Sequence, residues 1–120
     1  MSNSKHVEGK RCSEILPSVA DALYVISGKW KLPILIAVRF NNKRFSQIAR
    51  EIPNITDRML SKELRELEAN ELISRTVYDT VPATVEYALT EYGRSLDGVI
   101  HSLSEWGKKH RRRLMKKETA

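Results

Sequence analysis

Arg58, Ser61, Lys62 and Arg65 fall at i, i+3, i+4 and i+7, the spacing that lines side chains along one face of a helix. All four are hydrogen-bond donors. Arginine and lysine bond guanine edges or phosphates, and serine bonds either. Leu60, Leu64 and Leu67 stand on the opposite face, with Met59 at its edge. Such a helix lays its apolar side on a core and offers its donors to the major groove of double-stranded DNA. The competing reading is an ordinary surface helix held by i,i+4 ion pairs such as Lys62 with Glu66.

Several elements must position that face. Thr56 opens the helix 56–70: its hydroxyl can cap, Asp57 suits the positive helix end, and Ile55 with Leu60 form a hydrophobic staple. Asn70 closes it as a residue that tolerates a left-handed turn. Ser46 to Ile52 predicts a shorter helix, stopped by Pro53, and Pro53-Asn54-Ile55 is the turn between the two. Upstream, Pro17, Ser18 and Asp21 predict a helix start, followed by Val19, Leu23 and Ile26 at helical spacing and Gly28 as the stop. Trp30 to Phe40 is apolar almost all round and predicts a buried central helix, with Pro33 in its first turn and Asn41-Asn42 at its end. Lys43-Arg44-Phe45 reads as a short extended piece.

Beyond the helix 56–70, Leu72 to Tyr78 and Val85 to Thr90 read as strands around a turn at Asp79 to Ala83 that contains Pro82. From Glu91 onward the pattern is helical, with Tyr92, Leu96, Val99, Leu103 and Trp106 spaced 4, 3, 4 and 3. The expected fold is mainly α with a small β-hairpin wing (α+β), a winged helix-turn-helix. Thr56 at the start of the helix 56–70, Arg75 at the base of the hairpin and Thr80 and Thr84 near its tip are further candidate DNA contacts, although turn chemistry alone would account for the two wing threonines.

Charge is unevenly placed along the 120 residues, whose net charge is +6. Residues 29–65 hold nine basic groups against three acidic, 66–107 two against eight, and 108–120 seven against Glu118 alone. Clustered positive charge suits a polyanionic partner; a solvated helix surface and a frayed basic tail are the bland equivalent. The longest apolar run, Leu32 to Val38, is far short of the roughly 20 residues that span a membrane, and the first dozen residues lack the apolar stretch of a secretory signal. A single cysteine excludes an internal disulfide framework, and His6, His101 and His110 have no metal-ligand spacing. No phosphate-cradling glycine loop and no nucleophile with an adjacent base is visible. The expectation is a cytoplasmic protein that is not an enzyme and carries no cofactor or metal.

Gly28-Lys29-Trp30-Lys31, Lys43-Arg44-Phe45, the run Leu60 to Glu68 and the run Val85 to Gly93 together resemble the landmarks of the HxlR family, bacterial winged-helix transcription regulators related to the MarR group. The resemblance covers roughly residues 12–110. It implies a homodimer joined through its terminal helices, most often a repressor, with the helix 56–70 in the major groove and the hairpin 72–90 as wing. Two departures stand out. Many members have Asp-Gly where this chain has Asn70-Glu71. Some members sense electrophiles or oxidants through a cysteine just before the first helix, usually followed by proline, whereas here Ser13 follows Cys12. Cys12 has Lys10 and Arg11 beside it, which favours a reactive thiolate; a plain thiol without a regulatory role is the alternative.

The expected organisation is a flexible segment 1–12, the winged-helix domain 13–107 with terminal dimerisation helices, and a basic tail 108–120. Val19, Leu23, Leu96, Val99, Leu103 and Trp106 are the candidate dimer interface, since their stripe is long for one small core to cover. A dimer calls for a pseudo-palindromic operator with half-site centres roughly 34 Å apart. Its input would be a small molecule or an electrophile. A winged helix used only for protein interaction, working through the acidic stretch 66–107, is the alternative function.

Overall fold

Leu60, Leu64 and Leu67 are almost wholly buried, and they meet Ile34, Leu35, Val38, Ile48, Leu72 and Ile73 in one core. The structure is a computed structural model and describes residues 11–119. Its elements are helices α1 (Cys12–Ile26), α2 (Lys31–Arg39), α3 (Phe45–Glu51) and α4 (Asp57–Ala69), strands β1 (Ile73–Tyr78) and β2 (Thr84–Leu89), and helices α5 (Glu91–Arg94) and α6 (Asp97–Thr119). The strands form one antiparallel hairpin in which Arg75 pairs with Tyr87 and Val77 with Val85. The result is a winged helix, mostly helical with a two-stranded wing.

The local chemistry explains most boundaries. The Thr56 hydroxyl accepts from the Met59 N–H at 3.1 Å and caps α4. The Gln47 Oε1 accepts from both the Lys43 and Arg44 N–H groups and closes the start of α3. Lys43-Arg44-Phe45 is not a strand: Phe45 is already helical. The extended backbone before it still lends the Lys43 carbonyl to the Tyr87 N–H at 2.7 Å, which ties α3 to β2.

Four further expectations change. Helix α1 begins at Cys12, so Pro17 lies inside it and Ser18 does not cap; the Ser18 hydroxyl instead donates back to the Ile15 carbonyl at 2.9 Å. The left-handed residue after α4 is Glu71, at φ 61°, not Asn70, at φ −87°. The Glu71 and Leu72 N–H groups bond back to Glu68 and Leu67, the double bond of a Schellman turn, and it is this register that puts Glu71 at the left-handed position. The helical pattern from Glu91 breaks after Arg94 and restarts at Asp97, so Tyr92 and the later apolar residues do not share one helix. Finally, Lys108 to Thr119, set apart above as a tail, continues α6.

The break has a cause in packing. The Thr90 hydroxyl accepts from the Gly93 N–H at 2.9 Å and donates to the Glu71 carbonyl at 2.6 Å, pinning α5 to the end of α4. Gly93 then lies so close to the chain that a Cβ there would stand 2.0 Å from the Leu72 carbonyl oxygen. Arg39 Nε meets Asp97 Oδ2 at 3.1 Å and anchors the first residue of α6. From there α6 runs outward, as α1 does at the other end. The radius of gyration is 17.8 Å, against about 14 Å for a compact chain of this length.

Candidate nucleic-acid interface

Burying the leucines of α4 forces its other face outward, so Arg58, Lys62 and Arg65 are exposed and Ser61 is half-buried beside them. Ser61 and Arg65 share a hollow of about 400 Å³ with Arg75 of β1, lined also by Phe45, Leu64 and Tyr87 and by the carboxylate residue Glu68. The fold therefore joins the base of the wing to the exposed face of α4, which linear spacing could not show. Arg58 stands one turn nearer the helix start. Among the described residues, Arg58, Arg65 and Arg75 form no ion pair, while Lys62 Nζ lies 3.7 Å from Glu66 Oε1, the i,i+4 contact of the competing reading.

The tip of the wing is different in character. Thr80 donates to the Pro82 carbonyl at 2.7 Å and its oxygen lies 3.3 Å from that of Thr84, so these hydroxyls hold the loop together. Asp79 is the charged residue there, and Val81 is fully exposed. The wing's cation is Arg75 at its base.

Sequence reasoning missed a second hold on α4, an ion-pair clamp beside its buried leucines. Lys31, in the first turn of α2, is buried, with Nζ at 2.8 Å from Glu63 Oε2 and 2.6 Å from Glu66 Oε2. Burial works against the Lys31 ammonium, but hydrogen bonds and the charges of Glu63 and Glu66 outweigh it and hold its pKa above the ordinary 10.5. Glu66 is held below the ordinary carboxylate value, first by its hydrogen bond to Lys31 and then by that group's charge. The clamp grips the flank of α4 next to its leucines and leaves the Arg58 to Arg65 face clear. A lysine at the start of a largely apolar helix was the available signal.

Residues 25–115 match the HxlR-like helix-turn-helix family. The chain belongs to that family. The HTH-type transcriptional regulator YtcD of Bacillus subtilis, itself described as uncharacterised, is 52% identical over 93 residues, 78% of this chain and 74% of that protein. The redox regulator HypR in its reduced form superposes with a TM-score of 0.77 at 43% identity, covering 82% of this chain and 98% of that one. A proposed MarR-family regulator from Enterococcus faecalis V583 superposes with a TM-score of 0.75 at 33% identity, covering 85% and 93%. This HxlR-like protein is thus a winged-helix transcriptional regulator related to the MarR group, in a family of DNA-binding regulators rather than enzymes. Among the described residues, no helix is long and apolar enough to cross a membrane, and no three His, Cys, Asp or Glu converge as a metal site.

The remaining candidates are placed as follows. Cys12 is exposed in the first turn of α1; Lys10 and the rest of segment 1–10 lie outside the described residues, His6 among them. Val19 and Leu23 of α1 and Val99, Leu103 and Trp106 of α6 are all exposed. Leu96 is not with them: it precedes α6 and packs against the core of its own chain.

Proposed function

We propose that this HxlR-like protein represses transcription as a homodimer, with α4 in the major groove and the wing on the flanking backbone or minor groove. The observation that carries the reading is the set of unpaired cations Arg58, Arg65 and Arg75 on one exposed surface of α4 and β1. Thr56, Ser61 and Lys62 add donors along the same helix, and Thr80 and Thr84 shape the wing loop. The helix N-terminus at Asp57 favours a nearby phosphate.

Dimerisation is supported by the exposed apolar side chains of α1 and α6, which a monomer leaves in water: Leu23 is 55% exposed, Leu103 50% and Trp106 67%. Two α4 helices related by a two-fold axis read a pseudo-palindromic operator. For the input we propose an electrophile or oxidant acting at the exposed Cys12, a reading helped by the resemblance to HypR, which is described as a redox regulator. Diamide should change operator affinity in the parent and not in Cys12→Ser; equal responses would exclude the thiol. The alternative, a protein-interaction module working through the acidic stretch, has the weaker support, since three of the eight acidic groups of 66–107 are engaged within the chain. Glu66 is taken by Lys31, Asp97 by Arg39, and Glu105 lies near His101 and Lys108.

Footprinting upstream of the protein's own gene identifies the operator, and fluorescence titration then separates the roles on α4. Arg58→Ala should cost about 1–3 kcal/mol on that duplex and relax specificity at one position. Lys62→Ala should weaken all duplexes alike and flatten the salt dependence. Parent-like affinity in both variants would refute the docking.

A further inference from the structure

Residues 1–107 carry as many acidic as basic groups, so the entire net charge of the chain belongs to its last thirteen residues. Those residues are not a loose tail through Thr119 but the second half of α6. At 100° per residue, Lys109, Arg112, Arg113, Lys116 and Lys117 gather on one side of that helix, where they border a common shallow trough. The exposed apolar stripe Val99, Leu103 and Trp106 is centred roughly a quarter turn away. A partner helix seated on the apolar stripe therefore leaves most of the cations open.

We propose that this basic stripe is a second phosphate-binding surface, which grips duplex DNA outside the half-site contacted by α4. The inference rests on the DNA-binding reading and adds a surface to it. Lys109 to Lys117 spans about 12 Å of helix, a length over which each strand of a duplex presents about 3.5 phosphates, enough for about three of the five cations on one strand. The helix-turn-helix cations at 29–65 are offset by the acidic stretch 66–107 of the same chain, so attraction at a distance falls to the stripe. An anionic membrane is the other polyanion a basic helix can meet. This half-helix offers only Leu114 and Met115 as large apolar residues, too little to bury in a lipid interface.

The test is a five-fold variant of the full chain, Lys109→Gln, Arg112→Gln, Arg113→Gln, Lys116→Gln and Lys117→Gln, beside a companion in which each Lys and Arg is exchanged for the other. Binding to a random duplex and to the footprinted operator is titrated over a salt series. If three of the five cations meet phosphates, neutralisation lowers the log–log salt slope by about 3 per protomer, while the companion keeps the parent slope. The outer edges of the operator footprint should retreat and its centre should not. An unchanged slope and footprint would overturn the proposal. So would dissociation of the neutralised dimer seen by light scattering, since the stripe would then belong to the protomer seam. Binding to phosphatidylserine vesicles that vanishes on neutralisation, with an unchanged DNA slope, would reassign the stripe to membranes. Arg58→Ala and Lys62→Ala together distinguish the two readings: if both leave affinity intact while the stripe variant loses its slope, the docking of α4 fails and the stripe stands. The reverse pattern sinks the stripe alone.

Discussion

Glu71 and Gly93 are neighbours in space whose demands are opposite. Glu71 holds the left-handed conformation at φ 61° in the turn that ends α4, where a non-glycine residue is strained by about 1–2 kcal/mol. Glu71→Gly should raise the unfolding free energy in urea by about 0.5–1 kcal/mol, because relief of that strain exceeds the extra freedom of glycine in the unfolded chain. Gly93 has no such latitude: any Cβ would run into the Leu72 carbonyl, which is backbone and held by the Thr90 N–H at 3.1 Å. Gly93→Ala should destabilise by about 3 kcal/mol in the same measurement, since either α5 or the end of α4 must shift. Reading Asn70 as the left-handed residue pointed at the first position of Asn70-Glu71, whereas the familial Asp-Gly pattern has its glycine at the second, and the hydrogen bonds of the turn assign the strain to Glu71.

Between elements, the contact with the clearest pH signature is the clamp of Lys31 on Glu63 and Glu66. Lys31→Met should cost about 3 kcal/mol near neutral pH, because Glu63 is left largely covered and without its cation. The folded-state pKa of Glu66 is lowered, so its contribution is present above its ordinary value of 4.5 and disappears as pH falls through the folded value. That of Lys31 is raised, so its contribution is present below 10.5 and disappears as pH climbs past the folded value. Urea unfolding of parent and variant should therefore differ most between these limits, and the gap should narrow below pH 4.5. A constant gap down to strong acid would show that the clamp works through packing alone. In the sequence, α4 was the most legible element, since cap, staple and leucine stripe all agree. The clamp was not legible, because it joins residues 31 and 63 across two helices whose rotation only packing decides.

At the scale of the molecule, α1 and α6 project from a core that needs neither of their outer faces. Leu103→Glu should place a charge in the proposed protomer seam and yield a monomer by sedimentation equilibrium, with operator affinity lost and helix content kept. A dimer that survives would move the seam elsewhere. The break between α5 and α6 matters here, because it removes Leu96 from the seam and gives it to the core.

Local periodicity and capping were enough to determine the helix-turn-helix, the wing and the face of α4 that carries Arg58, Ser61, Lys62 and Arg65. They sufficed because burial of Leu60, Leu64 and Leu67 leaves that face a single direction to point. Only the tertiary structure placed Arg75 beside Arg65, paired Lys31 with Glu63 and Glu66, and showed why Gly93 is glycine. Each of these depends on the distance between elements remote in sequence, which local spacing does not encode. The same holds for the end of α6, where charge announced a basic stretch and the helix arranged most of its cations into a stripe.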